Sequence, residues 1–476
     1  MKIALINTPY LDIYGPDRVA VASNFPLGIA CLAAYVREHG HQPFLFDPEA
    51  YAYSGQRLHQ EIRRVAPDAI GISCVTATFL TAKKMAQKLK EQFDVPIIIG
   101  GPHTSAVPDL AIEHDPEFDI VVFGEGEVTL TEILDRLERG ESLRGCQGCH
   151  ARENNQIIKN ERRPFIADVD SLPYPARDLL DLERYRPNNQ TSIGRRSMPM
   201  FSGRGCPFHC VFCSTSTIMG HNFRAHSAQR VVDEMQHLIA EYGVEHIAFK
   251  DDTFTVNRKR VHEICALIRQ RGIKIAWTAH ATVSTVDEDL VKAMREAGCI
   301  CVLFGIESGD PEVSRKMGKG ITLDQARKAI VLTHKYGIKT LTSYIFGLPG
   351  ETRQSANNTI EFACSVPSTI SMFFILVPYP GSDVYDDFIM RNKEGLFNSW
   401  KYFAHTSTKP LVSIEGMSEE EMLGLVGKAY MRFYLRPVQI WRMLRKLHGW
   451  AELMTYIRGG LGLLQRLRLI FERRQR

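Results

Sequence analysis

Two successive series of strand–helix units predict an α/β chain: an N-terminal doubly wound parallel sheet, then a partial (β/α)6 barrel, then a basic helical region. Short, continuously apolar runs alternate with amphipathic stretches over residues 1–385, as parallel strands covered on both faces should read. A chain of 476 residues also exceeds a single core, since cores seldom grow beyond roughly 250–300 residues. A proline-punctuated segment separates the two series.

KIALINT at residues 2–8 reads as the first strand, and PLGIACLAAYVREHG as an amphipathic helix stopping at Gly40. QPFLFDPEA, AIGISCV, VPIIIGG and FDIVVFGEG supply four more strands, with TAKKMAQKLKEQF and TLTEILDRLERG among the intervening helices. Five such units make an open sheet over residues 1–145, with a ligand crevice beyond the carboxyl ends of its strands. Residues 146–195 read as a linker, in which RENNQIIKNERR turns as a hairpin at Asn154-Asn155. The second series begins with PMFSGRG and runs through HIAFKDD, IKIAWTAHA, CICVLFGIESG, IKTLTSYIFGLPGE and TISMFFILVPYPG. Six units over residues 196–385 fit a partial barrel working at its carboxyl face, and residues 386–476 read as mostly helical.

No apolar run approaches the roughly 20 residues that span a bilayer, and the N-terminus meets charge and proline too soon for a signal peptide. A cytoplasmic location is expected, where the eleven cysteines serve as thiols or ligands rather than disulfides. Cys31, Cys74, Cys265, Cys299, Cys301 and Cys364 sit alone in apolar surroundings, as small core residues do. Two groups are close-set. CQGCH, from Cys146 to His150, has the form of a haem-attachment pattern, yet without an export signal it reads as a linker hairpin with incidental thiols, with a zinc or auxiliary-cluster ligand pair as the alternative. The other group is Cys206, Cys210 and Cys213 in SGRGCPFHCVFCSTS, just after the first strand of the second series. Gly203 and Gly205 let the backbone curl there, and thiolates in short loops suit zinc or iron–sulfur clusters. A zinc site would take His209 or a distant cysteine as its fourth ligand. Three cysteines on a [4Fe–4S] cluster would instead leave one iron open for a substrate or cofactor.

CPFHCVFC at 206–213 matches the CxxxCxΦC signature, Φ being aromatic, and on it the chain resembles the radical S-adenosylmethionine enzymes. The resemblance implies that Cys206, Cys210 and Cys213 ligate a [4Fe–4S] cluster whose open iron binds S-adenosylmethionine, with Phe212 shielding it beside the adenine. It implies reductive cleavage of the sulfonium to a 5′-deoxyadenosyl radical, driven by a donor such as flavodoxin or ferredoxin. Asp251 and Asp252 of KDDTF stand where the family often presents a GGE-like stretch for the methionine ammonium. Glu307 of GIESG, at a strand tip, would accept from an ammonium or a ribose hydroxyl, or else cap a helix or form a salt bridge. Gly347, Gly350 and Glu351 of GLPGE resemble the family's adenine-contacting turn. His280 is a core histidine or a ligand contact.

With the doubly wound sheet placed first, residues 1–385 resemble the cobalamin-binding subclass, including the oxygen-independent magnesium-protoporphyrin monomethyl ester cyclase group and related methyltransferases. Ser73 matches the polar position after the third strand. Gly100 and Gly101 match the paired glycines after the fourth, and Gly124, Glu125 and Gly126 match the exit of the fifth. NTPYLD lacks the DxHxxG histidine that ligates cobalt from below, so cobalamin is expected with its base off the metal. A nicotinamide site would want GxGxxG and a nucleotide loop GxxxxGK[ST]; neither occurs, whereas a domain emptied of cobalamin remains open. The resemblance implies methyl transfer from methylcobalamin to an unactivated carbon of a hydrophobic small molecule, with oxidative cyclisation or rearrangement of a tetrapyrrole or lipid as the alternative. A non-catalytic cluster protein would not need the polar strand tips.

From Lys428 the chain carries 12 Lys/Arg against 2 Asp/Glu, while the net charge of the whole is only +4. The body is therefore acidic, which counts against nucleic acid. Arginines interleaved with Trp441, Trp450 and leucines read either as a contact with an anionic membrane or as a helical cap on the barrel.

Overall fold

The computed structural model describes residues 1–10, 25–185, 191, 196–391, 400–404, 409–445 and 453–454. The first sheet contains β1 (Lys2–Asn7), β2 (Gln42–Phe46), β3 (Ala69–Ser73), β4 (Ile97–Gly100), β5 (Ile120–Val122), β6 (Cys149–Glu153) and β7 (Gln156–Lys159), in the order β2-β1-β3-β4-β5-β6-β7. The first five are parallel. Their alternate side chains enter two different cores, because helices cover both faces.

β6 and β7 are antiparallel, and β6 pairs with β5. The hairpin expected in a linker is thus the edge of this sheet, turning at Asn154 and Asn155 with left-handed backbone, and the sheet runs to Lys159 rather than ending near residue 145. Cys146 and Cys149 are fully buried in the core beneath it, with the Cys149 thiol donating to the Cys146 carbonyl.

The second sheet is parallel throughout: β8 (Ser197–Met200), β11 (His246–Phe249), β12 (Ala276–Ala281), β13 (Cys299–Glu307), β14 (Lys339–Phe346) and β15 (Ile370–Ile375) in that order. β8 and β15 do not pair, so the barrel is partial. PMFSGRG is not one strand. After β8 the chain leaves the sheet for a two-stranded antiparallel ribbon, β9 (Gly203–Arg204) with β10 (Arg224–Ala225), and the cysteine loop lies between those two.

A helix over Glu419–Tyr434, opened by a reciprocal Ser418–Glu421 capping box, packs along the free edge of β15. Tyr434 Oη donates to the Ser371 carbonyl and accepts from its N–H, and Tyr430 Oη accepts from Phe373 N–H. A second helix, Pro437–Arg445, buries Gln439, whose Nε2 donates to Thr369 O at 2.7 Å. This part of the basic region caps the barrel. Trp450 and residues 455–476 lie outside the described residues. No helix among the described residues is long and apolar enough to cross a membrane.

Candidate active site

Cys206, Cys210 and Cys213 are half-buried on one loop between β9 and a short helix, Thr215–Met219. Gly205 (φ +83°) begins it, in backbone that L side chains rarely adopt, and a Cβ there would come 2.4 Å from Asn222 O. On the other side Val211 N–H donates to Met317 O, and Gly318 (φ +71°) has no room for a Cβ, which would come 2.4 Å from His209 O. The loop is therefore gripped from both flanks.

The spacing does not favour the zinc alternative. Tetrahedral thiolates on one zinc sit about 3.8 Å apart, given Zn–S bonds of about 2.3 Å. The three sulfurs are not all within 4.8 Å of one another, and among the described residues neither they nor His209 belong to any three-ligand group that tight. His209 stacks on His221 instead. Spread thiolates on a tight loop suit a larger, multinuclear group.

The strand tips around the loop divide by direction. Asp251 is buried, accepts from Ser202 N–H and hydroxyl, and is pushed up to about 6 by burial. It anchors β11 to Ser202, so of the acidic pair only Asp252 is exposed on the loop side, accepting from Thr215 Oγ1 at 3.1 Å. Glu307 is buried with φ +67°, an unusual state for a side-chain-bearing residue, at a bulge where β13 slips against β14. Lys319 fixes it, with Nζ 2.7 Å from Glu307 Oε1 and 2.7 Å from Gly305 O. Burial works against the Lys319 charge, but Glu307, Cys210 and Cys213 outweigh it and its pKa is raised. Gly305 leaves the space, as a Cβ there would be 2.1 Å from Glu307 Oε1. Sequence reasoning missed Lys319; its one local mark is the glycine on either side.

In GLPGE, the Glu351 carboxylate accepts from Gly347 and Leu348 N–H and staples the turn, Gly347 and Gly350 having φ +89° and +74°. Its second oxygen is buried without a partner, and burial pushes Glu351 up to about 7. Phe212 packs in a small apolar cluster with Val313, Met317 and Leu348 of that turn. His280 is exposed toward the barrel lumen.

On the first sheet, Ser73 ends β3 opposite Gly100. Gly101 needs its glycine: φ is +113° and a Cβ would lie 2.4 Å from Cys74 O. At Gly100 a Cβ would meet only Val122, at 3.6 Å. A cleft of about 400 Å³ opens here, lined by Val75, Thr76, Ala77 and Pro102 from the first domain and by Ser214, Ile218, Tyr379 and Pro380 from the barrel side. Ser214 directly follows Cys213, so the crevice beyond β3 and β4 meets the cysteine loop. Residues 7–10 after β1 contain no histidine, and the rest of that loop, 11–24, lies outside the described residues. His103, near Gly101, is buried and packs at a tilt against the Phe79 ring, and burial pulls it down to about 3.

Beyond Gly124 the structure shows an interdomain clamp that sequence reasoning missed. Arg204, two residues before Cys206, donates to Glu125 Oε1 at 2.8 Å and Glu127 Oε1 at 2.6 Å. Arg224 donates to both oxygens of Glu125, and Ile166 N–H donates to Oε2. All four side chains are about nine-tenths buried or more. Glu125 is thus occupied by protein. Gly126 has little space beside it, as a Cβ would be 2.9 Å from Leu32, while Gly124 takes φ +80°.

Residues 18–134 match the B12 binding domain and residues 200–363 the radical SAM superfamily. An uncharacterized methyltransferase of Pyrococcus horikoshii is 37% identical over 94% of this chain and 96% of its own length. The chain is a cobalamin-binding radical SAM enzyme. The anaerobic magnesium-protoporphyrin IX monomethyl ester cyclase of Rubrivivax gelatinosus is 27% identical over 89% of this chain and 76% of its own. The fold of the radical S-adenosylmethionine methyltransferase TsrM from Kitasatospora setae, solved with cobalamin and a [4Fe–4S] cluster, superposes with a TM-score of 0.68 at 18% identity, covering 82% of this chain and 75% of that one. OxsB, solved with aqua-cobalamin and S-adenosylmethionine, gives 0.65 at 18% identity over 83% of this chain and 56% of its own.

The cofactors of this radical SAM enzyme are a [4Fe–4S] cluster, S-adenosylmethionine and cobalamin. Its own geometry fits them. Three thiols on one gripped loop offer the cluster its ligands, and the close-approach glycine at 101 directly precedes Pro102, which lines a cleft open to that loop through Ser214.

Proposed function

We propose that this enzyme transfers a methyl group to an unactivated carbon of a hydrophobic small molecule. The supporting observation is the shared cleft, which brings the exits of β3 and β4 against Ser214, so both cofactor sites face one chamber. The naming of the 37% identical relative as a methyltransferase agrees with it. When bound, the cluster and S-adenosylmethionine supply a 5′-deoxyadenosyl radical that removes hydrogen from carbon, and methylcobalamin supplies the methyl group. Cys206, Cys210 and Cys213 hold the cluster and Phe212 walls it from the GLPGE turn. Asp252, Glu307 and the Gly347–Glu351 turn receive S-adenosylmethionine, Lys319 holding the Glu307 carboxylate in place. Ser73, Gly100, Gly101 and Gly124 receive cobalamin, base-off; Glu125 and Gly126 serve by docking that edge against the barrel. A small reducing protein such as flavodoxin or ferredoxin supplies electrons.

Anaerobic reaction with methyl-labelled S-adenosylmethionine and candidate lipid or tetrapyrrole extracts, read by mass spectrometry, tests this. Labelled methyl in product is expected; oxidised product without label would favour cyclisation, the reading that the cyclase relative supports.

The enzyme works in the cytoplasm, against an anionic membrane. The Pro437–Arg445 helix that caps the barrel also exposes Val438, Ile440, Trp441 and Leu444 beside Arg445, and Leu435 is exposed just before it. Apolar insertion and attraction to anionic lipid reinforce each other there. Flotation with anionic liposomes at low salt is expected, weakening at high salt. Failure to float with either anionic or neutral lipid would leave only the cap.

A further inference from the structure

The barrel lumen holds two basic side chains that the assignments above do not use. Along β11 and β12 the residues Ile247, Phe249, Trp277, Ala279 and Ala281 are buried in the core outside the barrel, so the alternate positions face its lumen. Lys250 and His280 are such positions. The parallel register sets Ala248 opposite Thr278 and so carries Lys250 beside His280. Backbone bonds continue past the strand ends, from Lys250 N–H to Met200 O and from Phe254 N–H to His280 O.

Both side chains are exposed, and among the described residues neither has a hydrogen bond or an ion pair. The nearest acid along the strand is engaged elsewhere: Asp251 with Ser202, Asp252 with Thr215. Asp252 lies at the cysteine rim, two residues further on, which puts the basic pair one layer deeper. Across the sheet at the register of His280 stand Leu303, Leu341 and Ile370, which cluster with Cys301 and Met372 as an apolar wall.

Protein crowds the pair on most sides. Burial lowers the pKa of Lys250, and burial with the nearby Lys250 charge takes His280 to about 4. At neutral pH the imidazole is therefore neutral, offering one N–H beside an ammonium that lacks a counter-charge. An oxyanion satisfies both groups at once, and the apolar wall across the sheet suits a hydrocarbon body.

We propose that Lys250 and His280 bind a carboxylate or phosphate group of the substrate inside the lumen. The proposal rests on the reading of the lumen as the reaction chamber.

The probe is octanoate, with octan-1-ol as the uncharged control, titrated calorimetrically and anaerobically into the cluster- and cobalamin-loaded enzyme saturated with S-adenosylmethionine. Octanoate is expected to bind at least about tenfold more tightly than octanol. Lys250→Met should weaken octanoate at least about tenfold, Lys250→Arg should recover most of it, and His280→Leu should weaken it more than His280→Gln. Iron content and melting temperature check each variant's fold, and the octanoate–octanol comparison stands on the wild type alone. Equal affinity for the two probes, no saturable octanoate binding, or unchanged binding in folded Lys250→Met overturns the proposal. If octanoate binds only without S-adenosylmethionine, the pair serves that molecule's carboxylate and the substrate assignment falls. Deoxyadenosine formation by the wild type is a separate readout, and its absence would strike the radical reading instead.

Discussion

Glu125→Ala is expected to loosen the two domains where they meet the cysteine loop. The carboxylate accepts from two arginines and one backbone N–H, and the ion-paired side chains are only 4% (Glu125), 10% (Arg204) and 11% (Arg224) exposed. Arg204 retains Glu127, but Arg224 loses its carboxylate and keeps the Ile166 and Met219 carbonyls and the face of the Phe165 ring. Breaking one side of such a buried pair costs about 3–5 kcal/mol. With an unfolding entropy of about 2.1 cal/mol/K per residue, this chain has roughly 1 kcal/mol/K, so the melting temperature should fall by roughly 3–5 °C. Calorimetry of the variant against Glu141→Ala, whose pair with Arg139 is half exposed, isolates the effect. The pH dependence has a definite sign at Glu127. Burial opposes its ionisation, but the charge and hydrogen bond of Arg204 outweigh that and hold its pKa below 4.5. Its contribution is complete above about pH 4.5 and is lost as pH falls through the folded value. A Glu125→Ala shift no larger than that of Glu141→Ala would refute the clamp.

Replacing any one of Cys206, Cys210 and Cys213 with alanine should abolish the iron–sulfur spectrum and deoxyadenosine formation after anaerobic reconstitution. Stoichiometric zinc with no such spectrum in the wild type would count against the assignment. Gly101→Ala must force a Cβ against Cys74 O at φ +113°, so cobalamin binding measured by absorbance should be lost while the cluster spectrum remains. Paramagnetic resonance of the cob(II)alamin form of the wild type should show no nitrogen splitting from an axial base. Glu351 has its pKa raised to about 7 by burial, so the folded protein holds a proton there that the unfolded chain releases above about 4.5. Stability should therefore decline as pH rises from about 4.5 to about 7, and Glu351→Gln should flatten that slope in melting temperature against pH. Identical slopes would remove the argument.

The strands were legible because each is a continuous apolar run, and β11 to β15 fall where those runs lie. The cysteine loop was legible because its ligands are local in sequence. β6 and β7 were recognisable as a hairpin, but short edge strands carry no periodic sign of the sheet they join, so their attachment to β5 was not. Glu125 with Arg204 and Arg224 joins residues 79 and 99 positions apart, and neither arginine stands out among 58 Lys/Arg. Asp251 and Asp252 look equivalent in KDDTF. Strand alternation separates them, sending one to Ser202 and the other to the loop.

The tyrosines along β15 bear on what the C-terminal region is for. An open barrel ends in a strand whose N–H and C=O groups invite another chain to pair. Here two phenol hydroxyls, at Tyr430 and Tyr434, meet Ser371 and Phe373 where a seventh strand would have, and Gln439 does the same at Thr369. A truncation before Lys428 therefore removes more than a basic appendage. It unmasks a sticky edge, and the shortened protein should self-associate through β15 even where its two cofactor domains still fold.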